Sequence, residues 1–105
     1  MVIVETRAFT NRINGLLSAE DYRRLQLALA ARPTAGAVMP GAGGLRKFRW
    51  SGSGRGKRGG VRVIYYWHPA SERLLMLFAF AKNERADLSA DQRNLLRKVV
   101  ETEYP

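Results

Sequence analysis

The chain has 105 residues, enough for one hydrophobic core, so a single domain over residues 1–105 is expected without disulfides or metals to staple it. Its 46% apolar composition excludes a disordered tail, the longest apolar run, Leu74 to Ala81, is far short of the ~20 residues that span a bilayer, and zero cysteines exclude disulfides, thiolate metal sites and cysteine nucleophiles. Eighteen Lys and Arg against nine Asp and Glu leave a net charge of +9, which points to a phosphate polymer as partner.

At the N-terminus, Val2-Ile3-Val4 suits an edge strand, and the opening residues lack the apolar stretch and cleavage site of a signal peptide, so the cytoplasm is the expected location. Arg7 to Asn14 reads as a brief helix ended by Gly15. Ser18-Ala-Glu-Asp21 is a helix start: a Ser cap, acids that suit the helix dipole, then Tyr22, Leu25 and Leu29 at helical spacing. Pro33 restricts its predecessor, so this helix should end near Arg32. Pro33 to Gly44 reads as a loop punctuated by Pro and Gly.

Leu45 to Trp50 alternates as a strand, with Arg46, Phe48 and Trp50 on one face and Leu45, Lys47 and Arg49 on the other. A glycine-rich connection, Ser51 to Gly60, leads to a β-branched and aromatic strand, Val61 to His68. Pro69 to Glu72 makes a turn, and Arg73 to Ala81 is so continuously apolar that a central strand covered on both faces is expected. Ser89-Ala-Asp-Gln92 is a capping box, behind which Leu95, Leu96, Val99 and Val100 recur at helical spacing while Arg93, Arg97 and Lys98 take other faces. The expected fold is α+β, in the order β-α-α-β-β-β-α, with two N-terminal helices and a C-terminal helix packed on a small antiparallel sheet.

The cations concentrate in one place. From Tyr22 to Ser71 there is no acidic residue, while Arg46, Lys47, Arg49, Arg55, Lys57, Arg58 and Arg62 crowd the segment from Leu45 to Arg62. Gly54-Arg-Gly-Lys-Arg-Gly59 matches a dinucleotide fingerprint in spacing, but a strand follows it where a helix is required. It is no P-loop either, because Arg58 stands where the Mg²⁺-binding Ser or Thr belongs. Glycines that let the backbone approach a phosphodiester chain, with Arg55, Lys57 and Arg58 as charged donors, make a phosphate clamp or else a soluble hairpin loop. Arg62, rooted in a strand, is held more rigidly than a loop cation, and Lys82 sits where the last strand ends. Tyr66 and its aromatic neighbours Trp50, Tyr65 and Trp67 offer stacking faces, although most are expected in the core. One histidine, His68, and scattered acids speak against both a histidine acid–base pair and a metal site.

Three blocks then carry a resemblance: Gly43-Gly-Leu-Arg-Lys-Phe-Arg49, Gly54-Arg-Gly-Lys-Arg-Gly-Gly-Val-Arg-Val-Ile-Tyr-Tyr66 and Ala81-Lys-Asn-Glu-Arg-Ala-Asp-Leu-Ser89. Together they resemble the RelE/HigB family of bacterial type II toxins, the HigB branch especially, over most of residues 16 to 100. The resemblance implies a metal-independent endoribonuclease that enters the A site of the 70S ribosome, cleaves mRNA there through the RNA 2′-hydroxyl and uses no cofactor. It implies a cognate antitoxin, a HigA-like helix-turn-helix protein, with operator DNA reached only through that antitoxin, and no membrane partner. Carried over by motif, Lys57 becomes the general base or phosphate orienter, with Arg55 assisting, Arg62 the transition-state clamp, and Lys82 a second cation near the leaving group. Arg46, Lys47, Arg49, Arg58, Asn83 and Tyr66 become RNA-binding residues. Asn83 and Leu88 stand where RelE toxins carry an arginine and a tyrosine, replacements shared by HigB-like members, and the general acid is left unassigned. A non-catalytic RNA- or ribosome-binding protein of the same fold is the alternative.

Overall fold

The computed structural model describes residues 1–51 and 60–105, which form a five-stranded sheet with helices on both faces. In chain order the elements are β1 (Val2–Glu5), α1 (Arg7–Leu16), α2 (Ala19–Ala31), β2 (Ala37–Val38), β3 (Arg46–Trp50), β4 (Val61–His68), β5 (Arg73–Ala81) and α3 (Ala90–Glu103). The spatial order is β1-β5-β4-β3-β2. β2 to β5 pair antiparallel, as short connections require, whereas β1 runs parallel to β5, reached across two helices. The expected element order stands, with β2 added: two exposed residues inside the Pro33–Gly44 loop pair with Lys47 and Arg46.

α1 and α2 cover one face. Thr6 caps α1 by accepting from the Phe9 N–H, and Phe9 and Ile13, one turn apart, go into the core with Leu25 and Leu29 of α2 against Val63, Tyr65, Leu74 and Met76. Gly15 does not stop α1. The helix runs on through Leu16, because Leu16 and Leu17 both pack against this core, and Leu17 N–H still reaches Ile13 O. α2 starts at the Ser18 cap, which accepts from the Asp21 N–H, and its C-cap is Arg32, next to Pro33. α1 also closes the β5 edge where β1 gives out: Thr6 Oγ1 donates to Leu77 O at 2.9 Å and Arg12 Nε to Ala79 O at 2.7 Å.

α3 covers the other face, placing Val100 and Leu96 on Ile64, Leu75, Leu77 and Phe80, with Leu45 and Leu88 completing the cluster. β5 is therefore buried on both sides, which its unbroken apolar sequence anticipated. A register shift at Ile64/Tyr65 lets both strands keep their large side chains inward. The Ser89–Gln92 capping box starts α3, and Tyr104 ends it. No described helix is long and apolar enough to cross a membrane.

Two close approaches fix the ends of β3. Gly60, which leads into β4, has φ +66°, and a Cβ there would lie 2.3 Å from Trp50 O, so only glycine fits. At the far end the buried Tyr65 hydroxyl donates to Pro33 O at 2.7 Å and accepts from Gly36 N at 2.9 Å, pinning the β2 loop to the sheet.

Candidate nucleic-acid interface

Strand alternation places Lys47 and Arg49 of β3 on the α3 side of the sheet, with Arg62, Ile64 and Tyr66 of β4. The antiparallel register sets Arg49 directly opposite Arg62, and Arg62 opposite Phe80 on β5. Arg49 is exposed, whereas Arg62 is only 7% exposed. Burial, and after it the charge of Arg49, pull the Arg62 pKa below its ordinary value. An arginine stays protonated under such pressure, so the row presents fixed positive charge backed by an apolar floor.

Toward the middle of the sheet, Lys47 Nζ lies 3.2 Å from Asp87 Oδ2. Burial pushes the Asp87 carboxyl up, but the Leu88 N–H, Lys47 and Arg93 together outweigh it and hold the group below the usual carboxylate range. Asp87 thus sits in the fields of both β3 and α3. From α3, Arg93 and Arg97 stand one turn apart; the Nε of each is buried with no hydrogen-bond partner. Arg97 rests its aliphatic stem against Gly43, where an added Cβ would come within 2.8 Å of Cγ, and its Nε is 3.8 Å from Glu101 Oε2. Tyr66 meets Tyr104 with ring centroids 5.7 Å apart, and Tyr104 stacks on His68 at 4.3 Å.

Four sequence-predicted site residues, Lys47, Arg49, Arg62 and Tyr66, therefore share one face. Lys82 joins the same end of the sheet: it follows β5, and its N–H donates to Gly60 O at 3.1 Å, two residues from Arg62. Asn83 is exposed in the turn beyond, which Glu84 closes by accepting from the Ala81 N–H at 3.0 Å, a bond that also lowers the Glu84 pKa. Arg46 stands apart, on the helix α1/α2 side, where its guanidinium donates to Thr34 O and to Gly36 O at 2.8 Å. Arg55, Lys57 and Arg58, with the glycine-rich motif, lie outside the described residues. Of the aromatics, Tyr65 is core, and Trp50 and Trp67 pack against the same cluster.

Asp87, Arg93 and Arg97 were not candidates from sequence. The available signal was the i, i+4 spacing of the two arginines beside Leu96 and Val100, which puts them at the margin of the buried stripe rather than on its far side. Among the described residues no group of three His, Asp or Glu side chains is placed to hold a metal ion.

A protein-family model described as the RelE toxin of the RelE/RelB toxin–antitoxin system matches residues 23–104, from α2 through four of the five strands to the end of α3. The helix-flanked sheet and its basic face agree with that match. The chain belongs to the RelE toxin family, the toxin half of a toxin–antitoxin system.

Proposed function

We propose that this protein is a ribosome-dependent endoribonuclease of the HigB type, which cleaves mRNA in the ribosomal A site, needs neither metal nor organic cofactor, and acts in the cytoplasm. The observation that carries the reading is the buried Arg62 set in register with Arg49 on the basic face, in a member of a toxin family. In the reaction the RNA 2′-oxygen attacks the adjacent phosphorus and the P–O5′ bond breaks, leaving a 2′,3′-cyclic phosphate and a 5′-hydroxyl. One proton leaves the 2′-hydroxyl to a base and one is delivered to the 5′-oxygen, while negative charge builds on the phosphorane.

Arg62, held on a strand and largely desolvated, suits the clamp on that phosphorane, because a preorganised donor loses little in reorganisation as charge develops. Lys57, assisted by Arg55, is assigned as base or phosphate orienter, and Lys82 as the cation near the leaving oxygen. Lys47, Arg49, Arg58 and Asn83 track the backbone and Tyr66 stacks on a base. Arg46, already engaged by loop carbonyls, contributes least to RNA. Neutralisation falls to a cognate antitoxin of the helix-turn-helix kind, and operator DNA is reached through it.

The test is translation of a defined mRNA on purified 70S ribosomes with the protein added, followed by primer extension. New 5′-ends in phase with codons are expected. Ribosome binding without any such ends would leave a non-catalytic RNA-binding protein.

A further inference from the structure

Arg93 and Arg97 belong to none of the roles above. They lie on α3, on the side turned to the sheet, with their Nε donors buried and without hydrogen-bond partners. Buried donors are normally satisfied, so two unpartnered ones a single helix turn apart call for an explanation. Arg97 reaches Gly43, just before β3, and Arg93 shares the field of Asp87 with Lys47. Two rows of cations thus meet at Asp87, Lys47 from β3 and Arg93 from α3, and Arg97 continues the α3 row to Gly43. Asp87 and Glu101 are the acids in contact with these rows, at 3.2 Å from Lys47 and 3.8 Å from Arg97.

We infer that Arg93 and Arg97 form a second phosphodiester-binding subsite, which holds the RNA strand beyond Lys47, farther along β3 from the phosphate gripped at Arg62. The inference rests on the RNA-facing reading of this face and adds a part to it. Guanidinium forks at i and i+4, with Cβ atoms about 5–6 Å apart, can each take a phosphate of one strand in a two-pronged contact. The unpartnered Nε atoms are the cost of holding both stems against the sheet, and that placement fixes the terminal nitrogens, which are the atoms a phosphate takes.

The test reads salt dependence. Anisotropy of a labelled, single-stranded, 2′-O-methylated RNA, which cannot be cleaved, is titrated with the wild type, with Arg93→Gln/Arg97→Gln and with Arg62→Ala over a range of KCl. Each phosphate contact on a single strand contributes about 0.7 to the slope of log K against log[salt], so the double variant should lose about 1.4. On programmed ribosomes its defect should appear in KM more than in kcat. If the slope changes only for binding to ribosomes without mRNA, the strand held is ribosomal RNA. An unchanged slope in both arms, with wild-type urea unfolding, overturns the subsite; so does wild-type RNA binding combined with loss of antitoxin capture, which would assign these arginines to a protein partner. Because the anisotropy arm needs no cleavage, a wild type that binds RNA but never cuts it defeats the proposed activity and leaves the subsite standing.

Discussion

Tyr65→Phe removes one oxygen and should be among the most destabilising conservative changes in the molecule. The hydroxyl lies in a fully buried side chain and makes two bonds, to Pro33 O at 2.7 Å and from the Gly36 N–H at 2.9 Å. Losing the donated bond forfeits about 0.5–1.5 kcal/mol, and the Gly36 N–H, itself buried, is left unsatisfied at a cost of about 1–3 kcal/mol. The sum, about 1.5–4.5 kcal/mol, corresponds to a fall in Tm of about 7–20 °C for a domain of this size. Urea unfolding of Tyr65→Phe beside Tyr66→Phe is the assay, since the Tyr66 hydroxyl has no hydrogen bond among the described residues and its loss should cost under about 0.5 kcal/mol. Equal midpoints for the two variants would refute the idea that this hydroxyl holds the loop.

Arg62→Lys keeps the charge and loses the fork, and should lower codon-phased cleavage by about 10²–10³-fold, checked by primer extension rates. Asp87 has a depressed folded pKa, so its contribution to stability is present above the unfolded value near 3.8 and is lost as pH falls through the folded value. Asp87→Asn should therefore be less stable than wild type at pH 7, with the gap closing below about pH 4 in acid titrations of urea midpoints. Ser89→Ala removes the half of the α3 capping box in which Ser89 Oγ accepts from the Gln92 N–H, leaving the backbone N–H of residue 89 on Gln92 Oε1, and should cost about 1 kcal/mol, with faster hydrogen exchange concentrated at the start of α3. Arg49→Gln removes the like charge opposite Arg62 and should stabilise the fold by about 0.2–1 kcal/mol at low salt while weakening RNA binding, the stability gain shrinking as salt is added.

Much of the fold follows from local chemistry. Ser18 and Ser89 announce their helices because a cap satisfies orphan N–H groups wherever it occurs, and Pro33 marks the end of α2 for an equally local reason. Gly15 misleads, since its helical cost is smaller than the burial gained by Leu16 and Leu17. β2 escapes notice because two exposed residues carry no periodicity; their pairing is set by β3 and by the Tyr65 tether. The parallel placement of β1 is likewise a matter of tertiary partners. At the site, the alternation that groups Lys47 with Arg49 was legible, and so was Arg62. The separation of Arg46 was legible in the same alternation, but the carbonyls that engage it come from a loop whose path the sequence does not specify. Asp87, Arg93 and Arg97 join the face only through the crossing of α3 over the sheet, a long-range packing fact.

The Arg49–Arg62 pair shows why stability and function pull apart on this face. A buried position opposite Phe80 and flanked in sequence by Val61 and Val63 would be better filled by an apolar β-former, since a guanidinium must be desolvated to enter it. Setting a second arginine across the strand compounds the cost, and Arg49 does lower the Arg62 pKa. A phosphate between them reverses the sign of the interaction, turning mutual repulsion into two attractions in a partly dry setting, where each is stronger than in bulk water. The local rules of strand composition are broken at the Arg49–Arg62 register row and kept elsewhere in β4, which is the distribution expected of a site rather than of a solubility patch.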